Sequence, residues 1–134
     1  MLRTTNSGQN WVLQPSLTTR DLWSIAMTAP NDIWVAGASG TIFHYDGQNW
    51  TSGIGATGEH LNSISPTPFS GVWTVGVNGA LLGFEGVHWF KPASGTVDNL
   101  RSVSTVGSIQ GPDLWVLSTQ NLGVNPAILQ YSCR

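Results

Sequence analysis

Charge is scarce in this chain. Only 9% of its 134 residues are charged, five basic against seven acidic, where a soluble domain ordinarily carries about a quarter. A net charge of −2, with no basic run, argues against a nucleic-acid-binding surface or a polybasic membrane patch. Cysteine is almost missing. Cys133 alone allows neither an internal disulfide framework nor a Cys-based zinc cage, and it is expected as a free thiol. No apolar run approaches the roughly 18–20 residues that span a bilayer. Met1-Leu2-Arg3-Thr4-Thr5-Asn6 lacks the apolar centre of a signal peptide. Helical periodicity is sustained nowhere.

What the chain has instead is sixteen Gly, seven Pro and seven Trp among many Ser, Thr and Asn. Frequent turns, neutral polar surface and large aromatics suit an all-β protein.

Self-comparison gives a repeat. Trp11, Trp50 and Trp89 stand 39 residues apart, as do Leu22, Leu61 and Leu100. Ile33-Trp34-Val35-Ala36-Gly37 returns as Val72-Trp73-Thr74-Val75-Gly76 and as Leu114-Trp115-Val116-Leu117-Ser118. Gly40-Thr41-Ile42-Phe43-His44-Tyr45 returns as Gly79-Ala80-Leu81-Leu82-Gly83-Phe84, with a third echo at Ala127-Ile128-Leu129-Gln130-Tyr131. Residues 1–134 are therefore expected to form a single domain of three repeats, at about 11–49, 50–88 and 89–134.

Each unit predicts four short strands. In the first they run over Leu22–Met27, Asp32–Gly37 and Thr41–Tyr45, with a fourth starting at Trp50. Turn signals separate them, among them Ala29-Pro30-Asn31-Asp32 and Asp46-Gly47-Gln48-Asn49. The second and third strands are apolar on both faces, as in Leu114-Trp115-Val116-Leu117. An antiparallel sheet with one wet face would alternate instead. Sheets covered on both faces and stacked on one another are the blades of a propeller.

These residues carry a resemblance. Asn31-Asp32-Ile33-Trp34-Val35-Ala36-Gly37, followed by Gly40-Thr41-Ile42-Phe43-His44-Tyr45-Asp46-Gly47-Gln48-Asn49-Trp50, resembles a repeat of bacterial β-propellers. It is distantly similar to photosystem-assembly-factor-like and sialidase-type propellers. The latter carry a Ser-x-Asp-x-Gly-x-Thr-Trp box. Asp46–Trp50 and Glu85–Trp89 are one residue shorter between acid and Trp. The resemblance implies a propeller without implying sialidase chemistry.

Register then sets an expectation about assembly. Ser7-Gly8-Gln9-Asn10-Trp11 matches Asp46-Gly47-Gln48-Asn49-Trp50, so residues 7–16 read as an outer strand, while the third unit shows no such strand after Tyr131. Rings typically use 4–8 blades. Two copies joined head to tail would give a six-bladed homodimer, each supplying residues 7–16 to its partner's third blade. The alternatives are a piece of a longer propeller or a β-trefoil, which also has three four-stranded units.

Signals of catalysis are weak. Gly53-Ile54-Gly55-Ala56-Thr57-Gly58 spells a dinucleotide fingerprint, but a strand follows it where a helix is required. His44, His60 and His88 lack ligand spacing, and His44 reads as a structural histidine. Asn49-Trp50-Thr51 is a glycosylation sequon on a repeat turn. No paired carboxylates, arginine cluster or nucleophile constellation emerges. The expectation is a non-enzyme with no cofactor and no metal.

One position is richer. Arg20, Asp21 and Trp23, then Glu59, His60 and Asn62, then Asp98, Asn99 and Arg101 recur at equivalent places around each first strand. In a propeller that strand is innermost, and Ser24, Ser63 and Ser102 suit a crowded axis. The nine residues are expected to ring one mouth of a central channel as a ligand site. A non-catalytic module binding a protein or small polar ligand is the functional expectation. A lectin with Trp-lined pockets between blades is the alternative.

Overall fold

A computed structural model describes residues 1–54, 57–67, 71–108, 111–119 and 128–132. A two-stranded ribbon comes first, β1 (Leu2–Arg3) on β2 (Val12–Leu13). The first sheet holds β3 (Leu22–Ala29), β4 (Asp32–Gly37), β5 (Thr41–Tyr45) and β6 (Trp50–Ile54), in that order. The second repeats it with β7 (Leu61–Thr67), β8 (Gly71–Gly76), β9 (Leu81–Phe84) and β10 (Trp89–Phe90). The third has β11 (Asn99–Ser108), β12 (Gly111–Thr119) and β13 (Ile128–Ser132).

All pairings are antiparallel between sequence neighbours, so each sheet is a meander on short turns. The Asp46 turn shows how. Its Oδ1 accepts the amides of Gln48 and Asn49 at 2.8 and 2.7 Å, fixing the chain before Trp50. These backbone bonds hold the exposed Asp46 carboxyl below its ordinary value.

Register puts Ala26, Trp34, His44 and Thr51 in one row, and Ile25, Val35, Phe43 and Ser52 in the next row on the opposite face. The first row meets the second sheet. Trp34, Ala36 and Ile42 bury against Leu61, Ile64, Val72 and Leu82. The other face of the second sheet presents Trp73, Val75 and Leu81 to Leu100, Val103, Leu114 and Val116 of the third. The middle sheet is thus apolar on both sides because it is covered on both sides. Each fully buried aliphatic there stabilises by about 1.5–3 kcal/mol.

A polar device recurs beside both apolar layers. The amide of Ile64 donates to Ser24 Oγ at 3.1 Å, and the amide of Val103 donates to Ser63 Oγ at 3.2 Å. Each bond runs from the free edge of a first strand to the preceding sheet. Strands of different sheets pair nowhere among the described residues, which sets aside the single barrel wall of a trefoil. The architecture is all-β and propeller-like.

One expectation shifts in detail. Strand β3 continues to Ala29, because its hairpin closes only where Ala29 meets Asp32. Val12–Leu13, within the expected outer strand of residues 7–16, pairs on one edge with Leu2–Arg3 in the single chain. Cys133 lies outside the described residues, as do Gly55 and Ala56 of the glycine-rich loop. Among the described residues no helix is long and apolar enough to cross a membrane.

Candidate functional site

The nine expected mouth residues lie on equivalent loops and the first residues of the strands that follow them, with Trp23 in β3, Asn62 in β7, and Asn99 and Arg101 in β11. Three turns built alike deliver them. Thr18 Oγ1 accepts the amide of Arg20, Thr57 Oγ1 that of Glu59 and Thr96 Oγ1 that of Asp98, at 3.1, 3.1 and 3.0 Å. The second and third loops then support the turn after the second strand of the preceding sheet. Gly40 and Gly79 donate to the carbonyls of Glu59 and Asp98 at 2.7 and 2.8 Å. Ser39 and Asn78, both at φ near +54° (53 and 54), donate to His60 Nδ1 and Asn99 Oδ1 at 3.0 and 3.2 Å.

The nine therefore divide in two. His60 and Asn99 cap turns; Glu59 Oε2 accepts the Asn78 amide at 3.0 Å, and Asn62 Nδ2 donates to the Leu100 carbonyl at 2.8 Å. His60, Asn99 and Asn62 hold neighbouring sheets together, and Glu59 ties the loop before β7 to the turn after β8 within the second sheet. Arg20 reaches only the Ser39 carbonyl, at 3.5 Å. Asp21, Asp98 and Arg101 have no side-chain partner among the described residues. Trp23, about half exposed, stands edge-on to His60 with centroids 5.2 Å apart. The carboxylates of Asp21 and Asp98 and the guanidinium of Arg101 thus take no part in holding the sheets.

A second group was not singled out from the sequence. Asp32 Oδ1 accepts from His44 Nε2 at 2.7 Å and from Trp34 Nε1 at 3.1 Å, and Oδ2 accepts from Thr28 Oγ1. Burial alone would raise the Asp32 pKa. The hydrogen bonds from Thr28 and His44, the His44 charge and the Trp34 bond outweigh it and hold the carboxyl below its ordinary value. The His44 ring stacks on Trp34 at 4.0 Å. Trp34, His44, Phe84 and Trp89 line a cleft of about 510 Å³ between the first and second sheets. The second sheet has Gly71 and Gly83 where the first has Asp32 and His44. The third unit keeps the acid, as Asp113, but has Gln130 in the place of His44, so the unmatched histidine on an acid-bearing hairpin is the signal that could have found the pair.

A third feature is a hollow of about 560 Å³ between the β1–β2 ribbon and the outer face of the first sheet. Trp11, Ile25, Met27, Ile33, Tyr45 and Trp50 line it. Among the described residues no group of three His, Cys, Asp or Glu side chains could hold a metal ion.

No protein-family model and no curated protein matches the chain. Among solved structures the chain is similar to YCF48 from Cyanidioschyzon merolae, with a TM-score of 0.59 and 18% identity over 85% of this chain. The match covers 41% of that protein, so this chain spans about two fifths of its length. At that identity the likeness is one of fold, and it supports the propeller-like architecture.

Proposed function

We propose that the chain is a non-catalytic binding module of propeller type, taking its ligand at the polar end of the first strands. The ring in this reading has six blades, three from each of two copies joined head to tail. Residues 7–16 of each copy complete the other's third blade. A single observation carries the site. Asp21, Asp98 and Arg101 keep free charged ends while the side chains between them are fixed by hydrogen bonds to neighbouring turns. A loop anchored in this way positions its remaining groups at little entropic cost on binding. Carboxylates, guanidiniums and an exposed indole together suit a peptide or small zwitterion rather than an apolar ligand.

The reading as a non-enzyme is supported by the fate of the carboxylate–imidazole pair. Asp32 is engaged by three donors, and one of them, the Thr28 hydroxyl, bonds to the carboxylate and not to the imidazole. No nucleophile is thereby activated.

The test is saturation-transfer NMR against a panel of charged tripeptides and oligosaccharides. Arg101→Ala and Asp98→Ala should abolish the transfer from peptides and leave particle mass and circular dichroism unchanged. Transfer that survives both substitutions rejects the mouth as the site.

A second reading, a lectin, is favoured by the aromatic cleft. Trp89 lines that cleft with Thr51 and Ser52, an aromatic surface beside hydroxyls of the kind a sugar takes. Under that reading Trp89→Ala removes oligosaccharide transfer and Arg101→Ala does not.

A further inference from the structure

Two aromatic pairs in this chain have the same geometry. Phe84 and Trp89 lie 5.1 Å apart at 37°, and Tyr45 and Trp50 lie 5.2 Å apart at 36°. They occupy equivalent places in the second and first sheets. The first pair is filled: Trp34 of the preceding sheet packs on it, 5.3 Å from Phe84 and 6.0 Å from Trp89. The second opens into the 560 Å³ hollow.

The matching knob is also present, at the other end of the stack. Trp34, Trp73 and Trp115 occupy one repeat position. The first two are 6% and 4% exposed, and Trp115 is 48% exposed. Leu117, in the place of buried Ala36 and Val75, is exposed as well. The receiving face shows the same contrast. Ile64 and Val103 are 4% and 6% exposed, whereas their counterpart Ile25 is 64% exposed.

The polar device is divided in the same way. Ser24 and Ser63 each accept an amide from the next sheet. Ser102, their counterpart, has no side-chain partner among the described residues. The donors are Ile64 and Val103, and their counterpart is the amide of Ile25, on the free edge of β3.

We infer that a second copy of this chain docks its third sheet on the first sheet, seating Trp115 on Tyr45 and Trp50 and Ser102 Oγ on the Ile25 amide. This rests on the ring reading above and names the residues of its seam. A second copy is the occupant because both halves belong to this one chain and reproduce a junction the chain already makes twice. The contact is heterologous, so two copies make two identical seams when the ring closes. Apolar faces of this extent are otherwise left in water.

The experiment is light scattering and sedimentation equilibrium on the full chain. The expected mass is that of two chains. Ile25→Asp and Trp115→Asp each reduce it to one chain with an unchanged far-ultraviolet spectrum, since both side chains are exposed in the single chain. Ile25→Gln and Trp115→Gln replace either variant that loses its β spectrum. Mixing the two variants restores a particle with one of each, because one of its two seams is intact. Ser102→Ala raises the dissociation constant roughly tenfold, the loss of one ordinary hydrogen bond at each of two seams.

A wild-type chain of single mass at every concentration overturns the ring and the seam together. A two-chain particle that survives either substitution, or variants that fail to complement, overturns the seam and leaves the ring reading standing.

Discussion

The hydroxyl of Ser24 accepts the amide of Ile64 from 3.1 Å across the junction of two sheets. An edge strand leaves alternate amides without a ladder partner, and at this junction the preceding sheet supplies one. Ser24→Ala should therefore leave the Ile64 amide half-buried and unbonded, at a cost of about 1–2 kcal/mol. Ser63→Ala should cost a similar amount through Val103. The two bonds lie at different junctions, but Ser63 adjoins Ile64, the donor to Ser24, so the departure of the double variant from the sum measures the coupling between the junctions. Urea unfolding of the three variants at constant chain concentration measures this. A loss confined to one of the two positions would show that the repeated geometry is not repeated energetics.

A pH dependence follows from Asp32. Its folded-state carboxyl lies below the ordinary value of 3.8 because Thr28, His44 and Trp34 donate to it. A group depressed on folding contributes stability that is complete above its unfolded pKa and is lost as pH falls through the folded one. Stability should accordingly decline from about pH 4 downward. The side chain is 38% exposed, so solvent screening limits the effect to about 1 kcal/mol or less. Asp46 adds a decline of the same sign, since its carboxyl is lowered by the Asn49 and Gln48 amides. Asp32→Asn keeps the Asp46 contribution and removes the other. Its unfolding free energy should be lower than wild type at neutral pH and converge with it in acid. Parallel curves would mean that the Asp32–His44 contact is too weak to matter.

Much of this fold can be read along the chain, and the reason is local. Strands β4 and β5 fall where their apolar residues and flanking turns place them, because a strand buried on both faces needs no partner to be recognised. The end of β3 is less legible. Thr28 and Ala29 give no apolar signal, and only cross-strand pairing of Ala29 with Asp32 extends the strand. The candidate mouth was legible as a set of equivalent positions. The use of those positions was not, because His60 and Asn99 meet turns 21 residues earlier in the chain, at Ser39 and Asn78. Both turns depend on a left-handed residue that sequence pattern does not announce for Ser. Asp32 and His44 escaped for a related reason, since their contact spans a hairpin and the other repeats carry Gly83 and Gln130 in the place of His44.

The turn glycines give a last prediction, in which two substitutions of the same kind should differ sharply. Gly79 has φ +69° and Gly86 has φ +86°, so alanine at either pays the left-handed penalty of roughly 1–2 kcal/mol. Their surroundings differ. A Cβ at Gly79 would lie 2.0 Å from the Thr96 carbonyl oxygen, whereas one at Gly86 meets nothing within 4 Å. The Gly79 turn cannot retreat without breaking its amide bond to the Asp98 carbonyl at 2.8 Å, and with it the cap from Asn99. Gly79→Ala should therefore cost about 4 kcal/mol or more, in the range that marks backbone disruption, while Gly86→Ala costs only the conformational penalty. Thermal unfolding of both variants separates these outcomes. Gly40→Ala should match Gly79→Ala, because Gly40 has φ +68° and meets the Thr57 carbonyl at the same 2.0 Å. Equal, small losses at all three positions would show that the loops carrying Glu59 and Asp98 are not held by the turns they touch.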